Sequence, residues 1–158
     1  MLISKIKKTG IPFQKSLNPI ANYSPYIVTN NLIFISGQLP IVDNKLLYKG
    51  KVGLDLSEID AKKSIQISII NLLAVLDFAL KENAISFDSL KIMNIKGYLN
   101  VSSDFKNHSK LFDSASKILI KIFGRKNGMH SRSVIGVENL PLNSPVEIDG
   151  IIGYEKST

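Results

Sequence analysis

A chain of 158 residues with 44% hydrophobic and 21% charged residues is long enough for one domain with a sizeable core, and too apolar to stay unfolded. The absence of cysteine excludes disulfides, cysteine-ligated zinc and thiol catalysis. The formal net charge of +7 rests on eighteen lysines and two arginines; apart from Lys5, Lys7 and Lys8 there is no dense basic run and no aromatic interleaving, which argues for general solvation and against a nucleic-acid partner.

The N-terminal MLISKIKKTGIPF lacks the apolar stretch of about 7 to 15 residues that follows the lysines of a secretory leader, so a cytoplasmic location is expected. Tyr26 to Ser36 (YIVTNNLIFIS) predicts two short antiparallel strands around Asn30-Asn31, a pair that tolerates the positive φ values of a tight hairpin. Gly50 to Asp55 reads as a strand edge. Ser57, three residues ahead of Asp60, then starts a helix predicted to run to about Asn83.

In that helix Ile65, Ile69, Leu72, Leu76 and Leu80 form one apolar stripe. Ile67, Ile70, Val75 and Phe78 widen it past one face, so the helix should be covered on more than one side. Its apolar run, Ile65 to Leu80, is interrupted by Gln66, Ser68, Asn71 and Asp77 and is shorter than the roughly 20 residues a bilayer demands, which favours a buried helix over a membrane span.

Leu90 to Asn100 predicts a strand. A second helix from about Phe105 to Phe123 places Leu111, Ala115, Ile118 and Ile122 on one side, with Gly124 where a left-handed cap would fall and a loop from Gly124 to Gly128. Two more strands follow, Ser133 to Val137 and Val146 to Ile152, across the turn PLNSP. The order predicts a single α+β domain over residues 1–158, a mostly antiparallel sheet with two helices packed on one face. The other face is expected to be apolar and bare, which implies self-association.

One residue stands out chemically. With lysine supplying almost all of the positive charge, an arginine marks a place where a planar, bidentate grip on a carboxylate or phosphate is wanted, and Arg132 opens the stretch RSVIGVENLP. The other pole of the argument is an interface salt bridge, which also favours arginine.

Four stretches together resemble the YjgF-like or Rid family, named for reactive intermediate deaminases and also catalogued as "endoribonuclease L-PSP". They are ANYSPYIVTNNLIFISGQLP, GKVGLDLSEIDAKKSIQISIINLLAVL, FDSASKILIKIFG with its following MHSR, and SVIGVENLPLNSPVEID. The resemblance covers about Gly10 to Ile152, and the longer second-helix region is similar to a branch labelled chorismate-mutase-like. It implies a chorismate-mutase-like fold, a homotrimer with clefts between subunits, and a small 2-imino or 2-keto acid as ligand.

The same resemblance assigns roles by position. Arg132 matches the arginine that forks onto the substrate carboxylate. Glu147, fifteen residues on, matches a glutamate that handles the attacking water, which is general-base work; a solvated strand glutamate is the alternative. Ser36 and Gly37 match a strand end where backbone approaches the ligand, or else a plain bulge. Tyr23 matches a ring lining the pocket, or else a buried tyrosine. Val134 stands where well-studied members carry a cysteine whose contact is backbone.

Asp149 shares a strand face with Glu147 and is placed to raise its pKa. His130 and GRKNG depart from the shorter branch, the histidine either serving the pocket or sitting in a loop. His108 and His130 are not at metal-ligand spacing, and neither a phosphate loop nor G-x-S-x-G is present, so no metal and no cofactor is implied. The expectation is hydrolytic deamination of 2-imino acids; the alternatives are a non-catalytic carboxylic-acid sensor and, ranked last, RNA cleavage.

Overall fold

The long helix Glu58–Glu82 organises the molecule, and its start is written in local chemistry: the Ser57 hydroxyl oxygen accepts the Asp60 backbone N–H at 3.1 Å, satisfying one of the donors left open in a first turn. A computed structural model describes residues 1–14 and 22–155; Ala21, the first residue of the family-like stretches, lies outside the described residues. Within them the elements are α1 (Leu2–Lys7), β1 (Tyr26–Thr29), β2 (Leu32–Gln38), β3 (Ile41–Val42), β4 (Lys45–Leu46), α2 (Glu58–Glu82), β5 (Leu90–Asn100), α3 (His108–Gly128), β6 (Ser131–Val137) and β7 (Val146–Tyr154).

The five long strands form one sheet in the order β1-β2-β7-β5-β6. Three of its pairings are antiparallel, and β5 pairs with β6 in parallel because α3 carries the chain back across the sheet between them. The sheet is therefore mixed, with α2 and α3 on one face. Strand alternation sends Ile33, Ile35, Ile92, Ile95, Leu99, Val146, Ile148 and Ile152 into the core beneath the helices.

The apolar excess of α2 has a cause. Sheet, α3 and α1 all pack on it, and α1, which the hydrophobic pattern had not predicted, buries Leu2 and Ile6. Asp77, itself buried, holds α1 by accepting the Ile3 N–H at 2.9 Å while pairing with Lys81 at 2.6 Å. By length and composition α2 resembles a membrane span, but 78% of its most apolar stretch is buried inside the fold.

Several boundaries differ from expectation. The Asn30-Asn31 hairpin forms as predicted, with both residues at positive φ, and a second hairpin at Asp43-Asn44 repeats the device between β3 and β4. The Gly50 to Asp55 segment is a turn that contributes only bridges from Val52 to Leu56 and Val101, since the Leu54, Asp55 and Leu56 amides all close on the Lys51 carbonyl. Helix α3 begins at His108, not Phe105. Gly124 breaks it at φ 73°, but the expected loop to Gly128 is one further helical turn.

The bare sheet face also differs. Ile27, Phe34, Met93 and Ile135 are exposed there, as an oligomer-forming surface requires, but Lys96, Tyr98, Glu147 and Asp149 make part of it polar.

Buried Asn71 ties the β2–β3 connection to α2. Its amide donates to the Leu39 and Ile41 carbonyls, each at 2.8 Å, and its carbonyl oxygen accepts the Gln14 N–H at 2.8 Å. Asn71→Ala removes all three bonds at once, although the Leu39 carbonyl still accepts the Ile41 N–H, and should cost about 2–4 kcal/mol in the unfolding free energy measured by urea titration; a loss under about 0.5 kcal/mol would show the tie to be dispensable.

Candidate functional site

Arg132 lies on β6, an edge strand, in register with core-facing Ile95 of β5, so its side chain projects on the helix side of the sheet. There α3 receives it. Nη2 donates to Asp113 Oδ1 at 2.8 Å and to the Ser109 hydroxyl and carbonyl oxygens at 3.0 and 3.1 Å, and Nη1 donates to the Ser116 hydroxyl at 3.0 Å. Ser109, Asp113 and Ser116 are spaced i, i+4, i+7 and form one stripe. The guanidinium carbon also stands 5.9 Å from the centre of the buried Phe112 ring.

His130 belongs to the same group. The turn that ends in Gly128 brings its ring back to α3, where Nδ1 meets the Gly128 carbonyl at 2.7 Å and Nε2 meets the Ser116 hydroxyl at 3.0 Å. A carbonyl only accepts, so Nδ1 carries a hydrogen and donates it to Gly128. Val134, two residues past Arg132, shares its side of β6 and packs against the core.

Glu147 projects from the opposite face. It neighbours core-facing Val146 and Ile148 on β7 and lies against Gly37, where an added Cβ would come within 1.8 Å of its Oε1. Gly37 thus admits the carboxylate by having no side chain. Burial, and secondarily the charge of Asp149, pushes the Glu147 carboxyl above its ordinary value of 4.5. Tyr98 stands opposite Glu147 in the sheet register and donates to Asp149 Oδ2 at 2.9 Å, and Lys96 approaches Asp149 at 3.7 Å. Burial and the bond to Asp149 push the Tyr98 hydroxyl up as well, keeping it a donor.

Within one chain the predicted residues therefore fall into two groups. Arg132 and Val134 sit on the helix side of β6. Glu147 and Gly37 meet on the other face, with Ser36 beside them, its hydroxyl donating to the Ser24 carbonyl at 2.8 Å. Exposed Tyr23 precedes β1, at the far edge of the sheet from β6. Ser109, Asp113, Ser116 and Tyr98 were not anticipated; the polar i, i+4, i+7 stripe beside the apolar stripe of α3 was the available signal.

Residues 3–149 match the family described as "YjgF/chorismate mutase-like, putative endoribonuclease". The chain belongs to this family. Among solved structures, one from Shewanella oneidensis MR-1, described as a "putative endoribonuclease", is similar with 28% identity and a TM-score of 0.86, covering 98% of this chain and 99% of that one. A structure of Atu1372 from Agrobacterium tumefaciens, described as of unknown function, is 26% identical with a TM-score of 0.86, covering 98% of this chain and 92% of the other. Protein TCP17 of Trypanosoma cruzi is 25% identical over 150 residues, 94% of this chain and 91% of its own length. The YjgF/chorismate-mutase-like relatives thus match nearly end to end, including the α3 segment that holds Arg132.

The raised pKa of Glu147 has a consequence for stability. The folded chain holds this proton more tightly than the unfolded one, so the contribution is complete below the ordinary value of 4.5 and is lost as pH rises through the raised value. Glu147→Gln removes the step. Melting temperatures followed from about pH 4 to about pH 8 should show the variant gaining on the wild type across that window; a constant difference would mean the carboxyl titrates normally.

Proposed function

We propose that the chain works as a homotrimer that hydrolyses reactive 2-imino acids to 2-keto acids and ammonia, in clefts where Arg132 of one copy faces Glu147 of a neighbouring copy. The observation that carries this reading is a guanidinium held at the sheet edge by three α3 side chains and still partly exposed, with 21% of its side-chain surface accessible. A group so oriented meets a carboxylate with little loss of side-chain entropy. The pleat, which keeps Arg132 and Glu147 of one chain on opposite faces, supports a site shared between copies, and the exposed Ile27, Phe34, Met93 and Ile135 supply apolar area for association.

The chemistry asks little of the protein. Arg132 takes the substrate carboxylate and fixes the imine carbon. The ionised Glu147 removes a proton from water as the water oxygen bonds to the carbon of the protonated imine, giving a carbinolamine; Glu147 then returns that proton to the nitrogen and takes the hydroxyl proton as the C–N bond breaks, so that the C=O forms, ammonia leaves and Glu147 releases its proton to solvent. A carboxylate with a raised pKa is a stronger base for this step than an ordinary one. Turnover accordingly declines as pH falls through the Glu147 pKa.

In a deaminase assay on an imino acid generated in situ, Glu147→Gln should retain binding and lose turnover. Arg132→Lys keeps the charge but not the planar fork, and should weaken 2-ketobutyrate binding by about 10- to 100-fold. Light scattering should give a mass near three chains. Binding without turnover in the wild type would support a sensor instead, and cleavage of RNA without imine hydrolysis would support the activity in the family's description.

A further inference from the structure

Arg132 is not alone in its site. Asp113 holds its Nη2 through Oδ1 alone; among the described residues Oδ2 has no partner, and 48% of the Asp113 side-chain surface is accessible. The Nε–H of Arg132 likewise has no acceptor among the described residues, so each member of the pair turns an unused polar atom outward. Ser116 and Ser109 fix the guanidinium, and the helical position of Asp113 fixes the carboxylate.

A positive and a negative group held 2.8 Å apart complement a ligand carrying the same two charges in reverse. A 2-amino acid, or the protonated form of a 2-imino acid, has a carboxylate and a cationic nitrogen on adjacent carbons. A 2-keto acid has only the carboxylate, and beside Asp113 it meets a like charge with no compensating contact.

Resting on the reading of Arg132 as a carboxylate site, we infer that Asp113 determines specificity: it receives the cationic nitrogen of a 2-imino or 2-amino acid and disfavours the anionic 2-keto acid. In a deaminase this asymmetry retains the charged substrate and releases the product, because hydrolysis removes the nitrogen that Asp113 holds.

The test is calorimetric titration of wild type, Asp113→Asn, Asp113→Glu and Arg132→Lys with 2-aminobutyrate and with 2-ketobutyrate at neutral pH. Wild type should prefer 2-aminobutyrate. Asp113→Asn should reduce that preference by about tenfold, as expected for losing one half-exposed charge-assisted contact, and Asp113→Glu should retain much of it. If Asp113→Asn changes both affinities by the same factor while Arg132→Lys weakens both, Asp113 is merely a tie between α3 and β6 and this inference fails while the carboxylate site stands. If Arg132→Lys leaves both affinities unchanged, the carboxylate site fails and the inference with it.

Discussion

The placement of α3 over β5 and β6 governs everything at the Arg132 end of the molecule, and it depends on one close contact. Phe112 is fully buried, and its ring lies where a side chain on Gly97 would have to be, within 2.3 Å of the Cβ position. Any larger residue at 97 would lift the helix from the sheet. With the ring seated, the next turns of α3 bring Ser109, Asp113 and Ser116 within hydrogen-bond distance of Arg132, and the turn after Gly124 returns His130 to Ser116. A hydrophobic fit thus sets the geometry of a polar group.

The pleat of the sheet divides the chemistry. Residues one apart on a strand face opposite ways, so a buried neighbour decides where a polar side chain points. Ile95 sends its partner Arg132 toward the helices; Val146 and Ile148 send Glu147 away from them. The two sides also differ electrostatically. On the helix side Asp113 balances Arg132, whereas on the open face Glu147, Asp149 and Tyr98 stand together with Lys96 nearby, and burial, with the charge of Asp149 second, raises the Glu147 pKa.

Membership of the YjgF/chorismate-mutase-like family accommodates this division, since relatives of similar length share the fold across nearly the whole chain. Arg132 stands on an edge strand and Glu147 on a central strand, on opposite faces of the sheet.

Much of the architecture was legible before any coordinates. The Ser57 cap, the wide apolar stripe of α2, the Asn-Asn hairpin and the alternation in Leu90–Asn100 are local signals, decided by hydrogen bonds and side-chain periods within a few residues. The family-like stretches picked out Arg132 and Glu147 by spacing. Spacing along a chain does not carry the face of the sheet, the parallel pairing of β5 with β6, or the docking of α1 on α2, because these are settled by contacts between segments far apart in sequence. For the same reason Asp113 and Ser116 gave no sign of Arg132 as their common partner, nor His130 of Ser116: the packing of Phe112 into the space above Gly97 is what brings α3 to β6.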